Sequence, residues 1–129
     1  MPRRHNRRTE NVMFEVIALM LLSQQPLMPV LEGQASFYTV ASNGAITASG
    51  ERLNDNAYTC AMRQGDFGDS YTVVGENGKS IVVRLTDRGP YVKGRVIDLS
   101  RAAMKALGGD EHLMNVKVYR NADAPRPPS

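Results

Sequence analysis

The strongest structural signals in the chain lie in two neighbouring stretches, Val82-Val-Arg-Leu-Thr-Asp-Arg-Gly-Pro90 and Gly94-Arg-Val-Ile-Asp-Leu-Ser100. Apolar and polar residues alternate up to Leu85, which is typical of a half-buried strand. Asp87 closes this strand, and a turn rich in Gly and Pro follows it. The second stretch predicts another strand that runs directly into Ser100, a residue type that readily caps a helix.

Short strands and turns are also predicted on both sides of these stretches. Upstream, the β-rich runs 35–40 and 71–74 are predicted strands, and Asn77-Gly78 favours a hairpin between the second run and the strand that follows. Downstream, a helix of about two turns is expected after Ser100, ending at Gly108-Gly109, and a last strand is expected over 115–120. The pattern is that of one small, strand-rich domain.

Composition narrows the range of functions. The 129 residues allow one domain, and 42% of them are hydrophobic, so a core can be buried. The net charge of +3 is not gathered into a basic stripe with interleaved aromatics, so no nucleic-acid partner is expected. The single cysteine, Cys60, cannot form an internal disulfide and is typical of a small buried hydrophobe.

The two histidines leave little room for histidine chemistry. His5 lies in the basic head of the chain and His112 lies beyond the predicted helix. A histidine zinc site or a Ser-His-Asp triad is therefore not expected, and neither a metal nor another cofactor is predicted. Any catalysis must rest on carboxylates or hydroxyls.

The two ends of the chain differ from its middle. Residues 1–32 have a basic head followed by a short apolar run, 16–22, which predicts a secretory signal peptide and a periplasmic or extracellular protein. The other reading is a disordered leader with a short amphipathic helix. The run is too short to span a bilayer, and no cysteine is placed for a lipid anchor. Residues 33–120 form the predicted domain, and 121–129 a disordered tail.

Two carboxylates are candidates for chemistry. Asp87 ends a strand beside a rigid Gly-Pro turn, where a functional side chain can be held at the surface. It can act as a general acid, with Glu51 either favouring its protonated form by like-charge repulsion or orienting a sugar. Arg88 can instead hold a carboxylate ionised. The structural alternative is that Asp87 only caps the turn through Asx-type hydrogen bonds.

Four blocks resemble the rare lipoprotein A family, in order and in spacing. They are Gly33-Gln-Ala-Ser-Phe-Tyr38, Thr47-Ala-Ser-Gly-Glu51, Val82-Val-Arg-Leu-Thr-Asp-Arg-Gly-Pro90 and Gly94-Arg-Val-Ile-Asp-Leu-Ser-Arg-Ala-Ala103. The resemblance implies an all-β fold, a six-stranded double-psi β-barrel with one short helix, preceded by the N-terminal leader. It also implies an open polysaccharide groove of the kind found in expansins.

The resemblance further implies a function and a set of site residues. The function is endolytic lytic transglycosylase action on peptidoglycan glycan strands poor in stem peptides, leaving anhydromuramyl ends, with cell-division or envelope proteins as further partners. Asp87 and Glu51 match the catalytic pair. Substrate contacts are expected from Tyr38, Ser49, Arg88 and Tyr91. Asp98, Gly89 and Pro90 are expected to be structural, with Asp98 bonding loop backbone.

One position departs from the family pattern. Where many members have a His after Thr-Ala-Ala, this chain reads Thr59-Cys-Ala-Met62, and a thioether cannot exchange a proton. Two alternatives to the enzyme are therefore kept open. One is a non-catalytic, expansin-like glycan-binding module, and the other is a secreted scaffold or inhibitor on the same barrel.

Overall fold

Six strands and one helix make up the fold in the computed structural model, which describes residues 28–109 and 113–121. In chain order they are β1 (Leu31–Phe37), a 3-10 turn (Val40–Ser42), β2 (Thr59–Ala61), β3 (Ser70–Gly75), β4 (Ser80–Asp87), β5 (Arg95–Leu99), the helix α1 (Arg101–Leu107) and β6 (Met114–Arg120). The leader residues 1–27 and the tail residues 122–129 lie outside the described residues. The predictions of a signal peptide and of a disordered tail therefore stay predictions.

The strands close into a barrel in the order β1-β5-β2-β4-β3-β6. Two pairs are parallel, β1 with β5 and β2 with β4, and the other four are antiparallel. Each parallel pair joins strands that are distant in the chain, so the chain must cross the end of the barrel to form it. The predicted six-stranded barrel with one short helix is confirmed.

Local signals account for the hairpin and the helix. β3 and β4 pair antiparallel across Gly75–Gly78, and Gly78 has φ 82°, which a glycine adopts without strain. The Ser100 side chain accepts a hydrogen bond from the Ala103 N–H at the start of α1, and Gly108 ends the helix in the left-handed conformation. Both elements match their sequence predictions.

The core is filled by inward-facing residues of the strands and by one face of α1. Along β4, Ile81, Val83 and Leu85 are buried while Val82 and Arg84 are exposed, as the alternation predicts. The core also contains Val73, Ile97, Leu99, Val116 and Val118, and on α1 Ala103, Met104 and Leu107. Cys60 lies in this core, where burial raises the pKa of its thiol to about 12.

One predicted strand has different bounds in the structure, and another strand was not predicted. β1 runs from Leu31 to Phe37 rather than over 35–40, because its first residues pair with β6 and its last ones with β5. β2 was not evident from periodicity. Its three residues, Thr59–Ala61, are all buried between β4 and β5, so there is no alternation to detect.

Candidate active site

The central strand β2 brings two aspartates from distant parts of the chain to the same level of the barrel. Ala61 is the register partner of Asp87 on β4 and of Asp98 on β5. Because neighbouring strands lie about 4.8 Å apart, the two aspartate backbones are about 10 Å from each other. Asp87 is the last residue of β4 and Asp98 is the last but one of β5, so each acidic side chain lies near the end of its strand.

The Asp87 carboxylate is held by three donors from three segments. Its Oδ1 accepts hydrogen bonds from the backbone N–H of Ala48 and of Arg88, both at 2.9 Å. Its Oδ2 accepts one from the Tyr38 hydroxyl at 3.2 Å. The bond from Arg88 comes from the next residue in the chain, whereas the Asx type that the structural alternative predicted would come from two residues on. The other two bonds come from residues far away in sequence. Asp87 is therefore oriented by tertiary contacts and remains partly exposed.

Tyr38 is a hydrogen-bond donor in this site. It follows the end of β1, and its phenol is directed at Asp87. Burial is the main cause that raises the pKa of Tyr38, and the charge and hydrogen bond of Asp87 raise it further. The hydroxyl therefore keeps its proton and continues to donate to Asp87 across the physiological pH range.

The 47–51 loop packs against the end of β4. It is closed by a bridge between Ile46 and Arg52 and by a hydrogen bond from Thr47 N–H to the Glu51 carbonyl, 2.8 Å. Ser49 N–H donates to the Thr86 carbonyl at 3.0 Å, and the Ser49 hydroxyl is 2.9 Å from that of Thr47. These bonds place the Ala48 N–H where it reaches Asp87.

Glu51 is engaged by an arginine that sequence reasoning did not single out. Arg84 on β4 donates to both carboxylate oxygens of Glu51, at 2.7 and 2.5 Å, on an exposed face. This hydrogen bonding and the attraction of the guanidinium lower the pKa of Glu51. Within the described residues the Glu51 side chain makes no hydrogen bond to Asp87, and the positive charge of Arg84 offsets its own.

Asp98 is a second carboxyl group with an unusual environment. It accepts a hydrogen bond from the hydroxyl of Ser36, its register partner on β1, rather than from loop backbone. Burial raises the pKa of Asp98, the bond from Ser36 and the charge of Arg95 lower it, and the charge of Asp87 adds to the increase. Asp98 therefore holds a proton more readily than an exposed aspartate does.

Arg88 fastens the 62–68 loop beside the site. Its guanidinium donates to the carbonyls of Gly65, 2.7 Å, and Met62, 3.4 Å, and lies 4.3 Å from the centre of the Phe67 ring. These contacts occupy the group that was expected to touch substrate, and a direct substrate role for Arg88 stays a prediction. Gly89 and Pro90 form a buried turn with a cis peptide bond, and beyond it Tyr91 is 77% exposed.

Met62, the position that the sequence resemblance matches to a His, is buried and packs with the core. Its side chain borders the same space as Tyr71 and Val96, while its N–H donates to the Asp87 carbonyl at 3.2 Å.

In the described part of the chain, no group of three or more His, Cys, Asp or Glu residues is arranged to hold a metal ion. None of the helices described there is long and apolar enough to cross a membrane.

Comparison with known proteins agrees with this geometry. The family model described as lytic transglycolase matches residues 30–118, which include the described strands β1 to β5, the helix and β6 as far as Val118. The chain belongs to this family. It is the rare lipoprotein A type of barrel that the four sequence blocks predicted, so that prediction is confirmed.

Two relatives and one solved structure illustrate the similarity. The "Probable endolytic peptidoglycan transglycosylase RlpA" of Treponema pallidum is 46% identical over 92 residues, covering 70% of this chain and 28% of the relative. The "Endolytic peptidoglycan transglycosylase RlpA" of Pasteurella multocida is 48% identical over 79 residues, covering 60% of this chain and 26% of the relative. The part of this chain that matches thus spans about a quarter of the length of those proteins. The expansin of Clavibacter michiganensis shares its fold, with a TM-score of 0.56 at 20% identity over 74% of this chain and 52% of the expansin.

Proposed function

We propose that this domain is an endolytic peptidoglycan lytic transglycosylase that cleaves glycan strands poor in stem peptides without using water. The supporting observation is the Asp87 carboxylate, held by three donors at a loop-lined end of the barrel. The relatives are named for this activity, and because the matched region is only about a quarter of their length, their activity is carried to this chain as a proposal.

Asp87 can supply both proton transfers of the reaction. In its acid form it gives a proton to the glycosidic oxygen as the bond between that oxygen and C1 breaks. As a carboxylate it then takes the proton from the C6 hydroxyl of the muramyl sugar, whose oxygen closes on C1 to form the anhydro ring. The proton returned to Asp87 equals the proton given, so the cycle closes and no water is consumed.

The surrounding residues position this group. The Tyr38 hydroxyl and the Ala48 N–H fix the direction of the Asp87 carboxylate relative to β1 and the 47–51 loop. Glu51 acts through its pair with Arg84, which ties the same loop to β4. Asp98, with its raised pKa, remains protonated to higher pH than an ordinary aspartate and limits the negative charge that builds up around a bound sugar.

A non-catalytic, expansin-like glycan-binding module is the second candidate. Met62 favours it, because a buried thioether replaces the imidazole found in many family members. The barrel it shares with the Clavibacter expansin is compatible with either function. In both cases the ligand lies outside the cytoplasm, so both proposals require export of the chain to the cell envelope.

Substitution at Asp87 tests the enzyme. Asp87→Asn removes the exchangeable proton and keeps the shape, so release of anhydromuramyl products from purified strands without stem peptides should fall by about 10²–10⁴-fold. Binding of the strands and the thermal unfolding transition should persist. Glu51→Gln should lower activity less, and the matched change Glu32→Gln, in an exposed pair with Lys117 on the barrel wall, should have no effect.

The outcomes separate the two candidates. If Asp87→Asn releases anhydromuramyl products as fast as the parent, Asp87 is only a turn residue and the assignment is wrong. If the parent binds the strands in a pull-down but releases no product, the expansin-like module is the correct function.

A further inference from the structure

A cavity with charged, polar and aromatic walls lies beside α1. Its volume is about 890 Å³, and we call it the helix-side cavity. Its wall includes Phe37 at the end of β1, Asp55 and Tyr58 from the loop before β2, and Arg101 and Lys105 from α1. Phe37 and Tyr38 are successive residues of an extended segment, so one lines this cavity while the other contacts Asp87.

Two positive charges face this cavity without a carboxylate partner. Arg101 and Lys105 are four residues apart on α1 and therefore lie on the same side of the helix. Neither makes an ion pair within the described ranges 28–109 and 113–121. The Arg101 guanidinium lies 5.9 Å from the centre of the Phe37 ring. The cavity can thus accept an anion.

The cavity also contains an acceptor that lacks a donor. Asp55 is fixed by its backbone, since its N–H donates to Asn43 Oδ1 at 3.1 Å and its carbonyl accepts from Ala102 N–H at 2.9 Å. Its carboxylate Oδ1 is buried and has no hydrogen-bond partner. A buried acceptor without a donor destabilises a structure. Because this oxygen is closed to solvent, a ligand N–H or O–H reaches it only when the cavity wall shifts, and the new hydrogen bond would then offset that cost.

Aromatic rings complete the wall. Phe37 is half-buried and Tyr58 is 47% exposed, so each offers ring surface to a ligand. Aromatic rings provide rigid apolar contact area, and the Tyr58 hydroxyl adds a polar end. The combination of cations, an unsatisfied carboxylate and ring surfaces is selective for a ligand with an acid, an N–H or O–H donor and an apolar face.

We propose that the helix-side cavity binds an N-acetylated sugar acid, namely a muramyl residue whose lactyl carboxylate is free. The carboxylate is bound by Arg101 and Lys105, the acetamido N–H faces Asp55, and the ring packs on Phe37 and Tyr58. This inference rests on the proposed function, and it adds a physical reason for a preference for strands without stem peptides. A stem peptide is joined through an amide at that carboxylate, which removes the charge that the two cations recognise.

Titration of the full-length chain with two monosaccharides tests the inference. N-acetylmuramic acid should shift the NMR resonances of residues around Arg101, Lys105 and Tyr58. It should bind at least about tenfold more tightly than N-acetylglucosamine, which has the same acetamido ring without the acid. Arg101→Gln and Lys105→Gln should each remove most of this preference, and higher salt should weaken it. Lys117→Gln, on β6, should leave it unchanged.

Two results would overturn the inference. One is equal affinity for the two sugars, or no binding of either. The other is a set of shifts confined to the 47–51 loop and Asp87, which would place the sugar in the catalytic site alone.

The experiment is independent of cleavage. If the parent cleaves no glycan strand but binds the sugar acid in the helix-side cavity, the enzyme proposal fails and the binding site stands. If the parent cleaves strands while Arg101→Gln and Lys105→Gln keep full preference for the sugar acid, the enzyme proposal stands and the binding site is wrong.

Discussion

At the scale of single residues, the three acidic groups of the candidate site differ in their pairing, burial and hydrogen-bond donors rather than in residue type. Glu51 is exposed and paired with Arg84, which lowers its pKa. Asp98 is half-buried beside Ser36, and burial raises its pKa. Asp87 receives three donors, two of them backbone N–H groups. The candidate site therefore combines an ion-paired carboxylate, a carboxyl group with a raised pKa and a carboxylate oriented by three donors.

Asp98 makes a measurable contribution to the pH dependence of stability. Its folded-state pKa lies above the ordinary value of 3.8, so the folded protein binds this proton more tightly than the unfolded chain does. As the pH rises from about that value through the raised pKa, the parent loses stability from this group. Asp98→Asn, which keeps an acceptor for Ser36, should therefore become more stable relative to the parent over that window.

Urea unfolding of the parent and of Asp98→Asn between about pH 3.5 and 7 measures this difference. The comparison cancels the other titrating groups, Glu51 included, whose contributions are shared by the two proteins. A stability difference that does not change with pH would show that Asp98 titrates alike in the folded and unfolded chains.

At the scale of elements, α1 is held to the barrel by the residue that caps its N-terminus. Ser100 is fully buried and caps α1, and its hydroxyl also donates to the Ala57 carbonyl at 2.5 Å and accepts from Thr59 N–H at 3.3 Å. One side chain therefore joins the helix, the start of β2 and the loop that contributes Asp55 and Tyr58 to the helix-side cavity. The cavity keeps its shape because these three segments share that hydroxyl.

Ser100→Ala should destabilise the domain by about 1–3 kcal/mol, because it removes a helix cap and leaves the Ala57 carbonyl without its donor. Urea unfolding measures the loss. Ser80→Ala, at an exposed position in β4, is the matched control and should change stability by less than about 0.5 kcal/mol. Equal losses in the two variants would mean that the buried hydroxyl contributes nothing beyond its volume.

At the scale of the whole molecule, β6 closes the barrel. It pairs with β1 on one side and with β3 on the other, and it places Val116 and Val118 in the core. Without it both neighbours would become unpaired edges, and the core would open along its full height. The remaining strands would stay paired in the order β1-β5-β2-β4-β3, but no strand would close the gap between β1 and β3.

Two truncations test this architecture. Deleting residues 1–27 should leave a cooperative thermal transition close to that of the parent, because every described strand remains. Deleting 114–129 should abolish cooperative unfolding. Circular dichroism at increasing temperature compares them. Similar transitions in both truncated proteins would contradict a closed barrel that depends on β6.

Much of the local structure could be predicted from the residues themselves. The alternation along 81–85, the Asn77-Gly78 turn, the Ser100 cap and the Gly108 helix end are short-range effects, and each was found where expected. The short strand β2 could not be predicted in this way, because its three residues are all buried and show no alternation of apolar and polar side chains. The pairing of Glu51 with Arg84 was also missed, since no sequence rule links positions 33 residues apart.

By itself, the sequence determined the strand-and-turn order of this domain, the helix ends and the position of Asp87 at the end of a strand. It did so because alternation, capping and turn chemistry act between neighbours in the chain. Only the tertiary structure decided which acidic groups share an end of the barrel, and that the pKa of Asp98 is raised while that of Glu51 is lowered. Those properties depend on strand register, which places Asp87 and Asp98 on either side of Ala61, and on burial and charge from partners far away in sequence.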